Sequence, residues 1–151
     1  MSKKINLLET GNMLLAAQKI VLCCHVSPDG DTLGSALGLA RLLEQKGKEV
    51  TVFVDDDINK SLNFIPGIEK VQRPEAGVIV EADLFVVVDA SSFDRVGICN
   101  EVVKAPVLLN IDHHISNTEF ADYLYLDAEA AAAGEIMCDL FEAMGWVYDE
   151  A

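Results

Sequence analysis

The sequence predicts an α/β protein, a three-layer α/β/α domain with a mostly parallel sheet. Three observations carry this. A strand-like run at residues 20–25, a helical repeat at residues 33–43 and a second strand-like run at residues 49–54 follow one another. Strand, helix, strand in that order implies a parallel, right-handed crossover. Two further apolar runs, at residues 84–89 and 107–111, read as buried strands. Residues 130–144 form the clearest helix, with an apolar stripe to lay against such a sheet.

Each element has a local reason. Residues 3–18 place Ile5, Leu8, Met13, Leu14 and Ala17 at loosely helical spacing, with Thr10, Gly11 and Asn12 breaking the run into two pieces. The strand at 20–25 runs into a tight turn punctuated by Pro28 and Gly30. Leu33, Ala36, Leu37, Ala40 and Leu43 then recur with helical period, Gly34, Ser35 and Gly38 keep the early turns slim, and Gly47 is a C-terminal stop. The strand at 49–54 ends in Asp55, Asp56 and Asp57.

Residues 59–64 suggest a short helix closed by Pro66 and Gly67, and Val71 and residues 78–80 are weaker strand signals. Residues 91–97 read as a loop with one helical turn, and residues 123–126 as a short edge strand. The helix at 130–144 takes Asp127 as N-cap and Glu129 as favourable charge in its first turn. Ile136, Met137, Leu140, Phe141 and Met144 form its stripe, and Gly145 ends it.

Composition narrows the function. With 151 residues the chain fits one domain, and an apolar fraction of 51% excludes disorder. Acidic residues number 25 against 11 basic ones, a net charge of −14. That argues against a long nucleic-acid duplex, which needs clustered Lys and Arg. A short nucleotide remains open, because divalent ions can supply local positive charge. Cys23, Cys24, Cys99 and Cys138 include no C-x-x-C pair and read as reduced, mostly buried thiols of a cytoplasmic protein. The N-terminus carries no signal-peptide core, and no apolar run approaches the ~20 residues that span a bilayer.

All three histidines sit in two acidic clusters that follow apolar runs. His25 opens His-Val-Ser-Pro-Asp-Gly-Asp, with Asp29 and Asp31 behind it, and His113 and His114 follow Asp112. A third run ends in Asp89. Singly, a strand-end histidine is a polar residue near water, Asp-Gly is a turn and a strand-end aspartate is a cap. Together at the carboxyl edge of an α/β sheet, where ligands bind, they point to a metal centre. Two ions ~3.5–4 Å apart need a bridging carboxylate and several terminal ligands. His25, Asp29, Asp31, Asp89 and His113 supply that donor set, which suits Mn, Fe, Co or Zn rather than calcium. Asp112 is positioned to orient a neighbouring histidine.

Three motifs in order carry a specific resemblance. His25 to Asp31, continuing into Gly34 and Ser35, is similar to the first motif of the DHH phosphoesterases. Val88 and Asp89 resemble the second motif, and Asp112, His113 and His114 the signature triplet. The similarity covers nearly the whole chain and is greatest to the nano-RNase and pAp phosphatase branch, related to RecJ. It implies a manganese-dependent phosphoesterase acting by a two-metal mechanism on short oligoribonucleotides, 3′-phosphoadenosine 5′-phosphate, or both. It implies Mn2+, two ions in the complete enzyme, with Mg2+ or Co2+ as alternatives. His25 and Asp29 would bind one ion, Asp31 and His113 the other, and Asp89 would bridge. His114 would contact the scissile phosphate and Asp112 would support the site. The implied partner is a short oligonucleotide or small phosphorylated nucleotide, not a long duplex or a membrane, with a homodimer left open.

The family carries a fourth motif with another bridging aspartate, and then a C-terminal substrate-binding domain. Nothing after Gly145 resembles either, and Asp149 follows the helix too closely. The expectation is a single DHH-type domain over residues 1–151, truncated before both. Turnover by this chain is therefore a separate question from family membership. The alternatives are another DHH hydrolase, acting on a cyclic dinucleotide or polyphosphate, and a non-catalytic metal- or nucleotide-binding module.

Other residues have weaker claims. Asp55, Asp56 and Asp57 stand where nucleotide folds place an acid on a ribose, but a solvated loop is the favoured reading. Ser91 and Ser92 could donate to a phosphate. Arg95 could pair with a substrate phosphate, although a surface salt bridge is favoured. Trp146 reads as a packing residue that would meet the segment following in the family, so an apolar patch exposed there and promoting self-association is the expectation for this chain.

Overall fold

Alternation along the first core strand divides the interior in two. Val21 and Cys23 pack with Phe53, Phe85 and Val87, while Ile20, Leu22 and Cys24 pack with Val52, Leu84, Val86 and Val88. This is the two-residue period of a strand buried on both faces. A computed structural model describes residues 1–147; Asp149 lies outside the described residues.

The strands are β1 (Lys3–Lys4), β2 (Lys19–Cys23), β3 (Glu49–Phe53), β4 (Val80–Glu81), β5 (Leu84–Val88), β6 (Val103–Lys104), β7 (Leu108–Asp112) and β8 (Tyr123–Leu126). The helices are α1 (Leu7–Ala16), α2 (Gly30–Gln45), α3 (Cys99–Val102) and α4 (Ala133–Met144). Six strands form one sheet in the order β1-β8-β7-β5-β2-β3, every pair parallel, and β4 pairs with β6 separately.

Helices α1, α2 and α4 cover one face. Leu33, Leu39, Leu42 and Leu43 of α2, with Ile136 and Leu140 of α4, are almost completely buried there. Each such side chain contributes roughly 1.5–3 kcal/mol by leaving water. The opposite face is thinner. A 3-10 turn at Phe93–Val96 and α3 supply Val96, Cys99 and Val102 to it. The Phe93 ring stacks on Phe120 at 5.2 Å.

Several expectations need correction. Helix α1 is unbroken, because Gly11 is not a breaker but a contact point: a Cβ there would overlap the Met144 thioether of α4. Strand β8 is not an edge, because the two-residue β1 pairs along its outer side. Helix α4 starts at Ala133 rather than residue 130, and neither Asp127 nor Glu129 caps it. Asp127 Oδ1 instead accepts from the Glu129 N–H at 3.0 Å, which closes a local turn. Trp146 does not form an exposed patch. It is buried, 6.2 Å from Phe141, and the Lys46 Nζ stands 5.1 Å from its ring centroid. Among the described residues, no helix is long and apolar enough to cross a membrane.

Candidate metal centre

Strands β2, β5 and β7 are neighbours at the centre of the sheet, and all run the same way. Their carboxyl ends therefore open on one edge. After β2 the chain turns outward to β3, then returns to the other side of β2 for β5. The crevice between β2 and β5 is such a reversal point, where α/β sheets bind ligands. His25 follows β2 and Asp89 follows β5, so the two meet across this crevice.

The loop after β2 is shaped by side chains on both sides. Ser27 adopts a φ of 52°, and its N–H donates to Asp56 Oδ2 at 2.8 Å. The Ser27 and Asp57 N–H groups hold the Asp56 carboxyl below its usual range. Asp29 caps α2, with Oδ1 accepting from the Thr32 N–H at 2.9 Å. Asp55 Oδ2 accepts from the Ile98 N–H, and Arg73 pairs with Asp55 and Asp57. Asp55 and Asp56 thus hold neighbouring loops in place, a role beyond that of a solvated loop.

His25 is nearly buried. Its Nδ1 lies 2.7 Å from the Val26 carbonyl, which can only accept, so Nδ1 donates and in the neutral ring Nε2 carries the lone pair. Nε2 faces Asp89 Oδ2 at 3.6 Å and Asp29 Oδ1 at 3.8 Å. The Asp89 carboxylate raises the His25 pKa above its ordinary value; burial opposes this, and the Val26 carbonyl and Asp29 assist.

Asp89 is the centre of the arrangement. Its φ is 64°, uncommon for any residue with a Cβ. Its side chain is 4% exposed, and Oδ1 is buried with no hydrogen bond. That oxygen stands 3.0 Å from His113 Nε2 without hydrogen-bond geometry. A strained backbone that carries an orphaned carboxylate oxygen is expensive unless something positive binds there.

His113 Nε2 also lies 3.8 Å from Asp31 Oδ2. Asp31 has a second task that the sequence did not reveal. Its Oδ2 accepts from the Ala133 N–H and its Oδ1 from the Gly134 N–H, both at 2.9 Å, so it is the cap that α4 lacks locally. Glu135 completes that end by accepting from the Ala131 N–H.

His114 Nδ1 donates to Asp112 Oδ1 at 2.6 Å, which leaves Nε2 for the cleft. Asp112 is fully buried, and its Oδ2 accepts from Asn117 Nδ2 at 2.8 Å. Asn117 also donates to Asn110 Oδ1 at 2.7 Å, and Asn110 donates to the Val87 and Ala90 carbonyls. Asn110 and Asn117 were missed in the sequence. The available signal was a polar residue inside the otherwise apolar run at 107–111.

Ligand atoms of His25, Asp29 and Asp89 lie within 4.8 Å of one another, and so do those of Asp89, Asp112, His113 and His114. Asp89 belongs to both groups, and Asp31 to neither. Two imidazoles with carboxylates, one holding an unpartnered buried oxygen, fit a divalent transition metal better than calcium. The cleft they line, together with Ser91 and Arg95, is about 450 Å³. A larger groove of about 860 Å³, beside α2 and β3, is lined by Leu37, Ala40, Val50 and Pro66 and holds no histidine. The candidate ligands line the smaller cleft.

The cysteines take no part in this chemistry. All are free, and three are buried. Burial pushes the Cys24 thiol up to about 12 and Cys23 well above its ordinary value, so both stay protonated and unreactive.

A family model described as "DHH family, N-terminal domain" matches residues 19–150. The bifunctional oligoribonuclease and PAP phosphatase NrnA of Thermus thermophilus is 35% identical over 129 residues, 83% of this chain and 37% of that protein. The Mycoplasma pneumoniae protein of the same name is 31% identical over 151 residues, 95% of this chain and 45% of that protein. A solved exopolyphosphatase-related protein from Bacteroides fragilis superposes with a TM-score of 0.83 at 28% identity, over 92% of this chain and 43% of that one. The chain thus spans less than half the length of each of these relatives.

Proposed function

The chain belongs to the DHH family, and from that premise we propose that it hydrolyses phosphate esters of short oligoribonucleotides, of 3′-phosphoadenosine 5′-phosphate, or of both. The observation that carries this reading is Asp89, whose two oxygens face two different imidazoles at 3.6 and 3.0 Å. A carboxylate set between two nitrogen donors is the arrangement of a bridging ligand. His25 and Asp29 would hold one ion, His113 and Asp31 the other, and Asp89 both. Manganese is our assignment among the metals that a mixed imidazole and carboxylate set accommodates, which also include Fe, Co and Zn.

Two divalent ions, when bound, would supply the positive charge that a phosphoryl transfer needs. The protein's own groups do the rest. The Val26 carbonyl fixes the His25 tautomer and the Ala133 and Gly134 N–H groups fix Asp31, so both donors are oriented before anything binds. Asp112 holds His114 with Nε2 toward the cleft, where it can contact a phosphoryl oxygen or the leaving group. Asn117 in turn fixes Asp112. The acidic cleft repels a bare phosphate, so substrate binding depends on the ions. Four free cysteines, three of them buried, fit a reducing compartment, which we take to be the cytoplasm.

The test is hydrolysis of 3′-phosphoadenosine 5′-phosphate and of di- to tetraribonucleotides by pure protein with Mn2+. Turnover that His113→Ala abolishes while the fold persists is expected. Absence of turnover on both substrate classes, with the metal bound, would overturn the reading.

A further inference from the structure

The acidic cleft contains one cation that its carboxylates do not neutralise. Arg95 lines the same cavity as Asp29, Asp31 and Asp89, together with the three histidines and Ser91. It is the only Lys or Arg among the lining residues. Among the described residues its guanidinium makes no ion pair and no hydrogen bond, although carboxylates line the same cavity. The surface salt bridge expected from the sequence is therefore absent among the described residues.

The base of this side chain is rigid. The Arg95 carbonyl accepts from the Val26 N–H at 2.7 Å, which ties it to the loop bearing His25 and Asp29. The Arg95 N–H donates to the Ser92 carbonyl at 3.2 Å. Phe93 and Val96 on either side are packed into the thinner layer of the core. Ser91, immediately after the Asp89–Ala90 corner, accepts from the Thr118 N–H through its carbonyl. Its hydroxyl has no partner among the described residues. A guanidinium and a hydroxyl, both unpaired among the described residues, thus line the cleft that holds the candidate metal ligands His25, Asp29, Asp31, Asp89 and His113.

We infer that Arg95, with the Ser91 hydroxyl beside it, binds non-bridging oxygens of the substrate's phosphate group. This inference deepens the proposed function and rests on its location of the reacting phosphate. A guanidinium suits the task because its planar fork takes two phosphate oxygens at once, and it stays charged in any surroundings. Its freedom from the neighbouring aspartates leaves no internal pair to break when substrate arrives. Ser91 adds one neutral donor that satisfies a third oxygen without adding charge.

The experiment measures binding of inorganic phosphate, by calorimetry, to the whole chain with and without Mn2+, in the wild type, Arg95→Ala and Arg95→Lys. Manganese affinity is measured on the same samples. A charge-assisted hydrogen-bond pair predicts that Arg95→Ala weakens phosphate binding on the order of tenfold to a hundredfold. Manganese affinity should change less than about twofold, because Arg95 is not among the ligands, and Arg95→Lys should fall between the other two. Arg95 is exposed, so both variants are expected to fold. Equal phosphate affinity in wild type and Arg95→Ala, in both conditions, would overturn the inference. So would a loss of phosphate binding fully explained by a loss of manganese. Binding is read separately from turnover, so a failure to hydrolyse the nucleotides would count against the proposed function while this comparison still decides the role of Arg95.

Discussion

Asp31 caps a helix that begins 102 residues further along the chain, its Oδ2 accepting from the Ala133 N–H at 2.9 Å. The same carboxylate is 3.8 Å from His113 Nε2, so one side chain serves both the docking of α4 and the candidate metal centre. The two roles separate experimentally. In metal-free protein, Asp31→Ala should cost roughly 0.5–2 kcal/mol, the usual penalty for a lost cap. Urea denaturation in the presence of chelator measures this. An unchanged midpoint would mean that solvent serves the α4 terminus as well as Asp31 does.

His25 makes opposite predictions for stability and for metal affinity. The Asp89 carboxylate raises its pKa above 6.5 in the folded state. The protonated imidazole therefore stabilises the metal-free fold fully below about pH 6.5, and that contribution is lost as pH rises through the raised value. A metal ion must displace the same proton, so metal affinity should climb over the same interval. Chelator-treated protein is expected to unfold at lower urea at pH 8.5 than at pH 6, while Mn2+ binds more tightly at the higher pH. Parallel trends in the two measurements would refute this linkage.

Gly97 answers to backbone geometry. Its φ of 60° and ψ of −139° lie in a region that residues with a Cβ rarely enter. A Cβ there would also fall 2.8 Å from Asp55 Cγ, whose carboxylate holds the Ile98 N–H. Gly97→Ala should cost about 1–3 kcal/mol. The part of the clash made by the carboxylate should disappear in an Asp55→Ala background, which keeps the 2.8 Å contact with the Asp55 Cβ, so a double-mutant cycle with no coupling would exclude the carboxylate clash.

Asn117 positions Asp112, and through it His114. Asn117→Ala leaves the buried Asn110 Oδ1 and Asp112 Oδ2 without their shared donor. We expect about 1–3 kcal/mol lost in stability and a fall of about 10- to 100-fold in phosphoester turnover. Denaturation midpoints and initial rates, taken on the same preparation, measure the two effects. Full activity in a destabilised variant would confine Asn117 to the fold.

Much of the fold was legible because apolar runs and helical periods are local signals. The strands at residues 20–25, 84–89 and 107–111 are read correctly to within a residue or two at their ends, and the helical repeat at 33–43 lies inside α2, which starts three residues earlier at Gly30. Cys23 and Cys24, adjacent in sequence, fall on opposite faces by the two-residue period of a strand, and each joins a different half of the core. The errors arise where a distant residue supplies what local sequence seems to offer. Asp127 looked like the cap of the last helix, but Asp31 provides it from the first turn of α2, packed beside α4 on the same face of the sheet. Gly11 looked like a break, but it is an approach point for Met144. Residues 123–126 looked like an edge because a two-residue strand at Lys3–Lys4 is too short to announce itself. The candidate site was legible as clustered His and Asp at strand ends. The Asn110 and Asn117 network was not, because a buried amide and a half-buried one have no spacing pattern in sequence.

The central claim is that Asp89 is shared between two metal positions. A calorimetric titration with Mn2+, of wild type and Asp89→Asn, tests it most directly. Two manganese ions per chain are expected in the wild type and loss of both in the variant, which keeps the shape of the side chain but not its charge. A single ion in the wild type, or manganese binding that survives in Asp89→Asn, would contradict it.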